Sequence, residues 1–377
     1  MVGGSLNAFI GAIHRKAANL DGEIELVCGA FSSNAEKSKA SGEALYLNPH
    51  RAYASFEEMI RMERELPGDL RMDFVSIVTP NHLHFAPAKM ALEHGFHVII
   101  DKPLAFNLAE AKSLNKIVKK TGLVFALTHT YTGYPMVKEA RNMAMTGVIG
   151  KIRKVYVEYP QGWLSTFLES TGQKQASWRT DPEKSGSGGA IGDIGTHAAN
   201  LAEYIISSNI SEICASLNIV VKGRRLDDDS SMLLKFDNGA TGTLLATQVA
   251  AGDENNLNIR VYGEKGGLEW KQEEPNSLIV KWLDKPREIY RAGWSYLSDS
   301  AKKNIRTPNG HPEGYLEAFA NIYMNFAKAV RDYKPGKKID PAKYDFPDVN
   351  DGVRGLAFVD AVIKSSKSKQ KWIKLKI

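Results

Sequence analysis

The chain has 377 residues, of which 43% are hydrophobic and 24% are charged, and its formal net charge is +6. That length is enough for two domains of ordinary size. No apolar run approaches the ~18 residues of a membrane span, and the first residues lack a signal-peptide pattern. The C-terminal lysines are typical of a solvated helix end and edge strand rather than of a nucleic-acid-binding face. We therefore expect a cytoplasmic protein with no membrane or nucleic-acid partner. Cys28 and Cys214 each lie in an apolar run, which indicates buried thiols in a reducing compartment.

Glycines crowd the start of the chain. Gly3 and Gly4 precede a helical segment over residues 8–20, which contains Gly11. Glycines between a strand and a helix allow a tight turn and a close approach of backbone N–H groups to a pyrophosphate. The spacing departs from G-x-G-x-x-G, because Ser5 stands where the second glycine would be and the loop before Gly11 is longer. The pattern predicts dinucleotide binding; a plain turn is the alternative, and a start of the natural chain upstream of Met1 stays open.

The first third of the chain then alternates apolar strands with helical patterns. The predicted strands cover residues 24–31, 73–80, 97–103 and 123–129. Continuous apolar runs are typical of strands buried on both faces, hence of a parallel sheet. Strand–helix–strand repetition predicts right-handed crossovers and a doubly wound sheet that binds ligands at the carboxyl ends of its strands.

The predicted cofactor is a dinucleotide, either NAD or NADP. The predicted strand 24–31 is followed by Ser32, Ser33 and Asn34, with no acidic residue to bind a ribose 2′-hydroxyl. The sequence therefore leaves both nucleotides open.

Two motifs follow later strands of this region. Pro80, Asn81 and His84 lie in VTPNHLH, and Lys102 precedes a proline in IIDKPL. A residue before proline is biased toward extended backbone, so Lys102 is expected at the sheet edge. Its ammonium could hydrogen-bond a substrate oxygen; taken alone, a surface lysine at a turn is the simpler interpretation.

Beyond about residue 150 the pattern changes to longer strands. Runs at 152–160, 212–223, 230–236, 240–250 and 256–270 are strand-like, and an Asn-Gly pair at 238–239 predicts an antiparallel hairpin. Two C-terminal helices and a last strand over 370–377 complete the pattern. We expect a dinucleotide-binding domain over 1–130 and a substrate-binding, oligomer-forming α/β domain with a largely antiparallel sheet over 131–377.

The stretch SGGAIGDIGTHAANL, residues 187–201, places Asp193 and His197 four residues apart. On a helix these positions share a face. Histidine titrates near neutral pH and suits the proton transfer that accompanies hydride transfer at an alcohol carbon, while an aspartate can orient the ring. Gly188 and Gly189 would let the backbone approach cofactor or sugar. A capping or surface pair is the alternative; no further ligand pattern completes a metal site, so we expect no metal.

In this order, TPNHLH, DKP and GGAIGDIGTHAANL resemble the Gfo/Idh/MocA oxidoreductase family, which includes inositol dehydrogenases and glucose–fructose oxidoreductase. The resemblance covers essentially the whole chain, although Asp101 stands where the family more often has Glu. It implies a Rossmann domain and an open-faced α/β domain whose sheet forms a dimer or tetramer interface. It also implies that His197 exchanges the proton, Lys102 polarises the oxygen and Asp193 orients.

The resemblance also implies contacts for residues that are ambiguous on their own. Tyr131 would lie near nicotinamide or substrate, or would be only a buried tyrosine at a domain hinge. His82 or His84 could be helix-start residues instead, and Trp178 and Arg179 could form only a structural stack. His311 is expected to begin a C-terminal helix and is a weak site residue. The predicted substrate-binding residues are Lys102, Tyr131, Asp193 and His197. The predicted cofactor-binding residues are Gly3, Gly4, Ser5, Gly11, Ser32, Pro80, Asn81, His84, Lys102, Trp178 and Arg179.

These observations predict an NAD(P)-dependent oxidoreductase that acts on a secondary alcohol of a sugar, polyol or cyclitol, or on the matching ketone. Two alternatives stay open. An NAD-dependent glycosidase of the same fold would use the same lysine and histidine, and a non-catalytic dinucleotide-binding sensor would bind nucleotide without turnover.

Overall fold

A computed structural model describes residues 1–337 and 339–377. Its strands are β1 (Val2–Gly3), β2 (Phe74–Val78), β3 (His97–Ile100), β4 (Phe125–Leu127), β5 (Ile152–Pro160), β6 (Ile210–Asn218), β7 (Asp229–Phe236), β8 (Thr241–Thr247), β9 (Asn258–Gly263), β10 (Gly266–Lys271), β11 (Ser277–Trp282), β12 (Glu288–Arg291) and β13 (Trp372–Lys374). Its α-helices are α1 (Phe9–Asn19), α2 (Ala35–Ala44), α3 (Phe56–Glu65), α4 (Phe85–Glu93), α5 (Leu108–Thr121), α6 (Pro135–Met145), α7 (Lys174–Arg179), α8 (Pro182–Ser185), α9 (Thr196–Ile206), α10 (Asp299–Lys302), α11 (Tyr315–Asp332), α12 (Pro341–Tyr344) and α13 (Val349–Lys367).

The chain forms two compact units. The first unit comprises Met1–His129 and Phe319–Val353, and the second comprises Thr130–Ala318 and Arg354–Ile377. The chain therefore passes from one unit to the other at three points, whereas the division expected from the sequence has a single boundary at residue 130.

The first unit contains a parallel sheet, as predicted. In the described residues the strand order is β1-β2-β3-β4, with helices between successive strands. Its strands read as apolar runs because both faces are covered: every residue of β3 and β4 is buried. Helix α5 ends at Gly122, which adopts the left-handed conformation and whose N–H donates to the Val118 carbonyl.

The predicted strand over residues 24–31 was wrong. Only Gly29 and Ala30 form isolated bridges, to Ala52 and Val2 respectively. A strand needs a paired neighbour, and the neighbour here is β1, which has only two residues. Apolar composition alone therefore did not produce a regular strand.

The second unit is built on a nine-stranded sheet in the described residues, in the order β12-β11-β10-β9-β5-β8-β7-β6-β13. β5 and β8 pair in parallel and the other neighbours are antiparallel, so the largely antiparallel sheet is confirmed. The hairpin joining β7 to β8 is also confirmed, with Gly239 at φ +87°. The run at 256–270 is not one strand but the β9–β10 hairpin, and β11 and β12 lay outside the predicted segments.

One face of this sheet forms the core of the second unit. Burial alternates along β7 and β8, and the inward residues belong to a cluster that includes residues of α6 and α9. The other face carries half-exposed apolar side chains such as Tyr156, Leu233 and Leu245. Within the described residues, none of the helices combines the length and the apolar character that a membrane crossing requires.

Candidate active site

The glycine turn lies between β1 and α1. Gly3 and Gly4 have φ values of +79° and +73°, a region that only glycine adopts without strain. A methyl group on Gly4 would lie 3.0 Å from the Gly11 Cα, and one on Gly11 would overlap the Gly4 backbone. The turn and the helix therefore pack backbone against backbone, which any larger side chain would prevent.

This turn fits the diphosphate of a dinucleotide. Among the described residues, no side chain caps the α1 N-terminus and no acidic residue lies in its first turn. The N–H groups that begin α1 are therefore left to bind an anion, and the helix dipole favours negative charge there. The Gly4 carbonyl oxygen accepts a hydrogen bond from Arg15, 2.5 Å away, which holds the turn from its other side.

The ends of the four parallel strands lie along one edge of the first unit. Gly3 pairs with Val78, Ile77 with Ile100, and Ile100 with Leu127. The residues that follow these strands, including Pro80, Asn81 and Lys102, therefore lie along the same edge as the glycine turn.

The turn that carries Lys102 is braced by hydrogen bonds. The Asp101 N–H donates to the Ile77 carbonyl at 2.9 Å, and the Thr128 hydroxyl donates to the Asp101 carboxylate at 2.9 Å. Lys102 itself is half-buried, and the Lys102–Pro103 peptide bond is cis.

The predicted cofactor contacts of this edge have different surroundings. Asn81 is buried at the strand end and Pro80 is exposed beside it. Ser32 is half-buried, and its hydroxyl accepts the Asn34 N–H at 3.1 Å. These three residues remain predicted contacts.

His84 is used differently from the predicted cofactor contact. Its ring is fully buried, with Nδ1 2.6 Å from the Pro103 carbonyl oxygen and Nε2 2.8 Å from that of Thr79. Both ring nitrogens thus face the backbone, and burial lowers the pKa of His84. This residue supports the lysine turn rather than presenting a polar atom to a nucleotide.

In the second unit, Asp193 does not lie on a regular α-helix. Residues Ile191–Gly195 form a π-helix, and α9 begins only at Thr196. π-Helical turns are rare and occur frequently at functional sites. The structure still brings Asp193 and His197 to a common neighbour: the His197 ring lies 4.9 Å from the Tyr131 ring, edge to face, and the Asp193 charge acts on the Tyr131 phenol.

A chain of polar contacts links Asp193 to Tyr131. Gln248 Nε2 donates to Asp193 Oδ2 at 3.0 Å and lies 3.3 Å from Gln161 Oε1. Gln161 Nε2 donates to Asn255 Oδ1 at 2.6 Å. Asn255 also accepts from Tyr159 at 2.7 Å and donates to the Tyr131 hydroxyl at 3.1 Å. We call these residues the polar cluster: Tyr131, Tyr159, Gln161, Asp193, His197, Gln248 and Asn255.

Both tyrosines of the polar cluster are buried and hydrogen-bonded to each other. Burial raises the pKa of Tyr131, and the nearby Asp193 charge raises it further. Burial and Tyr131 likewise raise the pKa of Tyr159 well above its ordinary value. Both hydroxyls therefore carry their protons at neutral pH and can donate hydrogen bonds.

Four members of the polar cluster were missed in the sequence: Tyr159, Gln161, Gln248 and Asn255. β5 and β8 are parallel neighbours, with Pro160 paired to Thr247. Gln161 and Gln248 are therefore the first residues after two adjacent strand ends. Polar residues directly after buried strands were a usable signal, but the pairing of β5 with β8 was not visible in the sequence.

The remaining predicted residues lie in the second unit. Arg179 lies 4.4 Å over the Trp178 ring and its Nε is 3.5 Å from the Asp193 carboxylate. The stack given as the alternative for this pair is therefore present, and Arg179 also contacts Asp193. His311 is exposed in a turn before α11 rather than at the helix start.

The glycines before the π-helix serve packing within the second unit. A methyl group on Gly189 would overlap the Asp227 backbone oxygen. The Asp227 carboxylate accepts the Gly189 N–H at 2.7 Å and the Ile191 N–H at 2.8 Å. The buried carboxylate thus holds the backbone from which Asp193 projects. Within the part of the chain that the structure describes, no group of three His, Cys, Asp or Glu side chains could hold a metal ion.

Comparison with known proteins agrees with this architecture. Residues 1–129 match the oxidoreductase family with an NAD-binding Rossmann fold, and residues 137–269 match the GFO/IDH/MocA C-terminal domain. An uncharacterized oxidoreductase of Bacillus subtilis is 31% identical over 100% of this chain and 96% of its own length. The levoglucosan dehydrogenase of Pseudarthrobacter phenanthrenivorans is 27% identical over 84% of each chain.

A solved structure extends the likeness to the whole fold. The inositol dehydrogenase homologue of Azotobacter vinelandii in complex with NAD+ is 35% identical, with a TM-score of 0.94 over 99% of this chain and 96% of that one. The same homologue with NADH and myo-inositol is 33% identical, with a TM-score of 0.89 over 99% and 96% of the two chains. The glycine turn, the two folded units and the matches across the full length together establish that this chain belongs to the Gfo/Idh/MocA family of NAD-binding oxidoreductases.

Proposed function

We propose that this protein is an NAD-dependent dehydrogenase that acts on a secondary alcohol of a sugar, polyol or cyclitol, or on the matching ketone. The observation that carries the proposal is the polar cluster. Its hydroxyl, amide, carboxylate and imidazole groups can both donate hydrogen bonds to and accept them from the several hydroxyl groups of such a substrate. The myo-inositol bound to the Azotobacter vinelandii homologue is a polyol, which supports the same class.

The first unit supplies the residues that would hold the cofactor. The glycine turn with Gly3, Gly4, Ser5 and Gly11 would bind the diphosphate through backbone N–H groups. Ser32, Pro80 and Asn81 remain predicted contacts along the same edge, and Trp178 and Arg179 remain predicted contacts from the second unit. When bound, NAD supplies the hydride acceptor, and the proton chemistry falls to the side chains of this chain.

Oxidation of an alcohol carbon requires its hydroxyl group to lose a proton as hydride leaves. In this proposal the His197 imidazole accepts that proton, because histidine is the side chain that ordinarily exchanges protons near neutral pH. The Lys102 ammonium donates a hydrogen bond to the same oxygen and stabilises the negative charge that develops there. Asp193, held by Gln248 and by Arg179, orients the substrate or the imidazole.

The test is a panel of inositols, sugars and polyols, with NADH formation followed at 340 nm and NAD binding measured by calorimetry. Lys102→Ala and His197→Ala should each lower kcat by about a hundredfold or more while NAD binding persists. Lys112→Ala and His50→Ala change exposed residues of the same types and should retain full activity. Near-normal kcat in either site variant would refute the role assigned to that residue.

A double variant tests whether both side chains serve one chemical step. If they act on the same oxygen, the Lys102→Ala/His197→Ala variant should be about as slow as the slower single variant, because effects within one unit of chemistry are not additive. A multiplied loss would indicate separate contributions. Product formation without net NADH would favour a glycosidase, and nucleotide binding without turnover of any compound would favour a sensor.

A further inference from the structure

A line of polar groups, three of them buried and the fourth, Asp101, half-buried, runs beneath the lysine turn of the first unit. His14 of α1 is fully buried, with Nδ1 2.7 Å from the Tyr323 hydroxyl and Nε2 3.6 Å from the Asp101 carboxylate. The Tyr323 hydroxyl lies 2.8 Å from the Ser76 hydroxyl. We call Ser76, Tyr323, His14 and Asp101 the His14 chain. The proposed reaction uses none of these groups, although Asp101 directly precedes Lys102.

The donors and acceptors of the His14 chain can be ordered. A carboxylate only accepts, so the His14 nitrogen that faces Asp101 must carry a proton for the contact to be favourable. In neutral histidine the other nitrogen, Nδ1, then accepts the hydrogen of the Tyr323 hydroxyl. Ser76 in turn donates to Tyr323. Every hydrogen of the chain thus points toward the Asp101 carboxylate, and the opposite order would place a lone pair against it.

The charge on Asp101 agrees with this order. Burial alone would raise the pKa of Asp101, but the interaction with His14, followed by the charge of the Lys102 ammonium, brings it well below its usual range. The Thr128 hydroxyl donates to the same carboxylate from the end of β4. His129, the next residue, is buried, and burial lowers its pKa to about 3, so it adds no positive charge there at neutral pH. The carboxylate is therefore ionised and held from two sides.

From this geometry we infer that His14 is a positioning residue for Lys102. It holds the Asp101 carboxylate in place next to the lysine, with Tyr323 and Ser76 fixing the orientation of its ring. His14 also lies three residues after Gly11 on the same helix, so one rigid element carries both the glycine-turn contact and the support for the lysine turn. The effect of His14 on catalysis rests on the proposed function, whereas the placement of a proton on His14 Nε2, facing Asp101, does not.

Selective 15N labelling of the nine histidines tests that contact without any substrate. The His14 signals are identified by their loss in a His14→Gln variant. We expect Nε2 of His14 to carry a proton, and we expect the Nδ1 signal to move in Tyr323→Phe, which loses the hydroxyl that donates to it. An unprotonated Nε2 in the parent protein would overturn the inference.

Kinetics test the positioning role. His14→Leu removes the hydrogen bond to Tyr323 and the polar contact with Asp101, and it should lower kcat roughly tenfold to a hundredfold, because small displacements of a catalytic group cost that much. KM for NAD should change less than about twofold. His14→Gln keeps an acceptor for Tyr323 and a donor for Asp101 and should recover most of the loss. Tyr323→Phe should fall between them, and it decides the matter if His14→Leu does not fold.

Tyr53→Phe is the matched control, because its buried hydroxyl donates to the Glu63 carboxylate at 2.9 Å in the same unit. It should leave kcat unchanged. Normal kcat in folded His14→Leu and Tyr323→Phe, or a His14→Gln as slow as His14→Leu, would overturn the positioning role. If the parent protein turns over no substrate, the proposed function fails instead, and the 15N measurement still decides whether His14 holds Asp101.

Discussion

Removal of the Asp227 carboxylate should loosen the backbone that carries Asp193. The carboxylate accepts two buried N–H groups, those of Gly189 and Ile191, at 2.7 and 2.8 Å. Asp227→Ala leaves both groups without their acceptor at the start of the π-helix. Asp229→Ala is a suitable control, because the neighbouring Asp229 accepts only an exposed bond from Asn218 among the described contacts of its side chain.

The size of the effect follows from those two bonds. A buried N–H left unsatisfied costs about 1–3 kcal/mol, so two would cost about 2–6 kcal/mol. Burial raises the pKa of Asp227, which means that the ionised carboxylate is itself destabilised in the fold, and its removal offsets part of the loss. We therefore expect the variant to lose about 2–4 kcal/mol in the free energy of unfolding.

Urea denaturation and hydrogen exchange measure the two consequences. The urea midpoint reports the loss of stability, and exchange in a peptide spanning residues 188–195 reports the local opening. Exchange there should accelerate in Asp227→Ala and not in Asp229→Ala. If Asp227→Ala were no less stable than the control and the peptide stayed equally protected, the two hydrogen bonds would not hold this segment.

Three further outcomes are expected. Gly11→Ala should weaken NAD binding, measured by calorimetry, at least about tenfold, or about 1.4 kcal/mol. The reason is that the added methyl group would overlap the backbone of the glycine turn. Gly68 has open space around it, so Gly68→Ala should bind NAD normally. Burial lowers the pKa of His97 to about 4, below its unfolded value, so the free energy of unfolding should fall by up to about 3 kcal/mol as the pH drops from about 6.5 toward 4. Urea midpoints measured at several pH values should depend less steeply on pH in His97→Gln than in the parent protein. Equal pH dependence in the two proteins would contradict the role given to His97. Burial raises the pKa of the Cys28 thiol to about 11, so a thiol reagent at pH 8 should modify only Cys214 in the native protein and both cysteines in guanidinium, as counted by mass spectrometry; rapid native modification of Cys28 would show that it is not buried.

Local patterns in the sequence were sufficient for much of the first unit. Residues 97–103 and 123–129 contained β3 and β4 because strands covered on both faces must be apolar throughout. Gly122 marked the end of α5 because its left-handed conformation suits glycine. The strand expected at 24–31 did not form because its neighbour β1 has only two residues, and a strand extends only where a neighbouring strand can pair with it.

Contacts between residues far apart in the chain determined the geometry of the candidate site. The spacing of Asp193 and His197 was visible, but the sequence did not show that the Ile191 N–H at the start of the π-helix bonds to the Asp227 carboxylate, 36 residues away.

By itself, the sequence determined the alternation of strands and helices, the glycine turn and the residue types with suitable chemistry, because each depends on backbone conformation or side-chain character at neighbouring positions. Only the tertiary structure decided which distant residues meet: Gln161 with Gln248 through the parallel pairing of β5 and β8, and His14 with Asp101 and Tyr323 in the interior of the first unit. The physical reason is that pairing and packing join residues far apart in the chain, whereas the periodicity of a sequence records only the environment along each element.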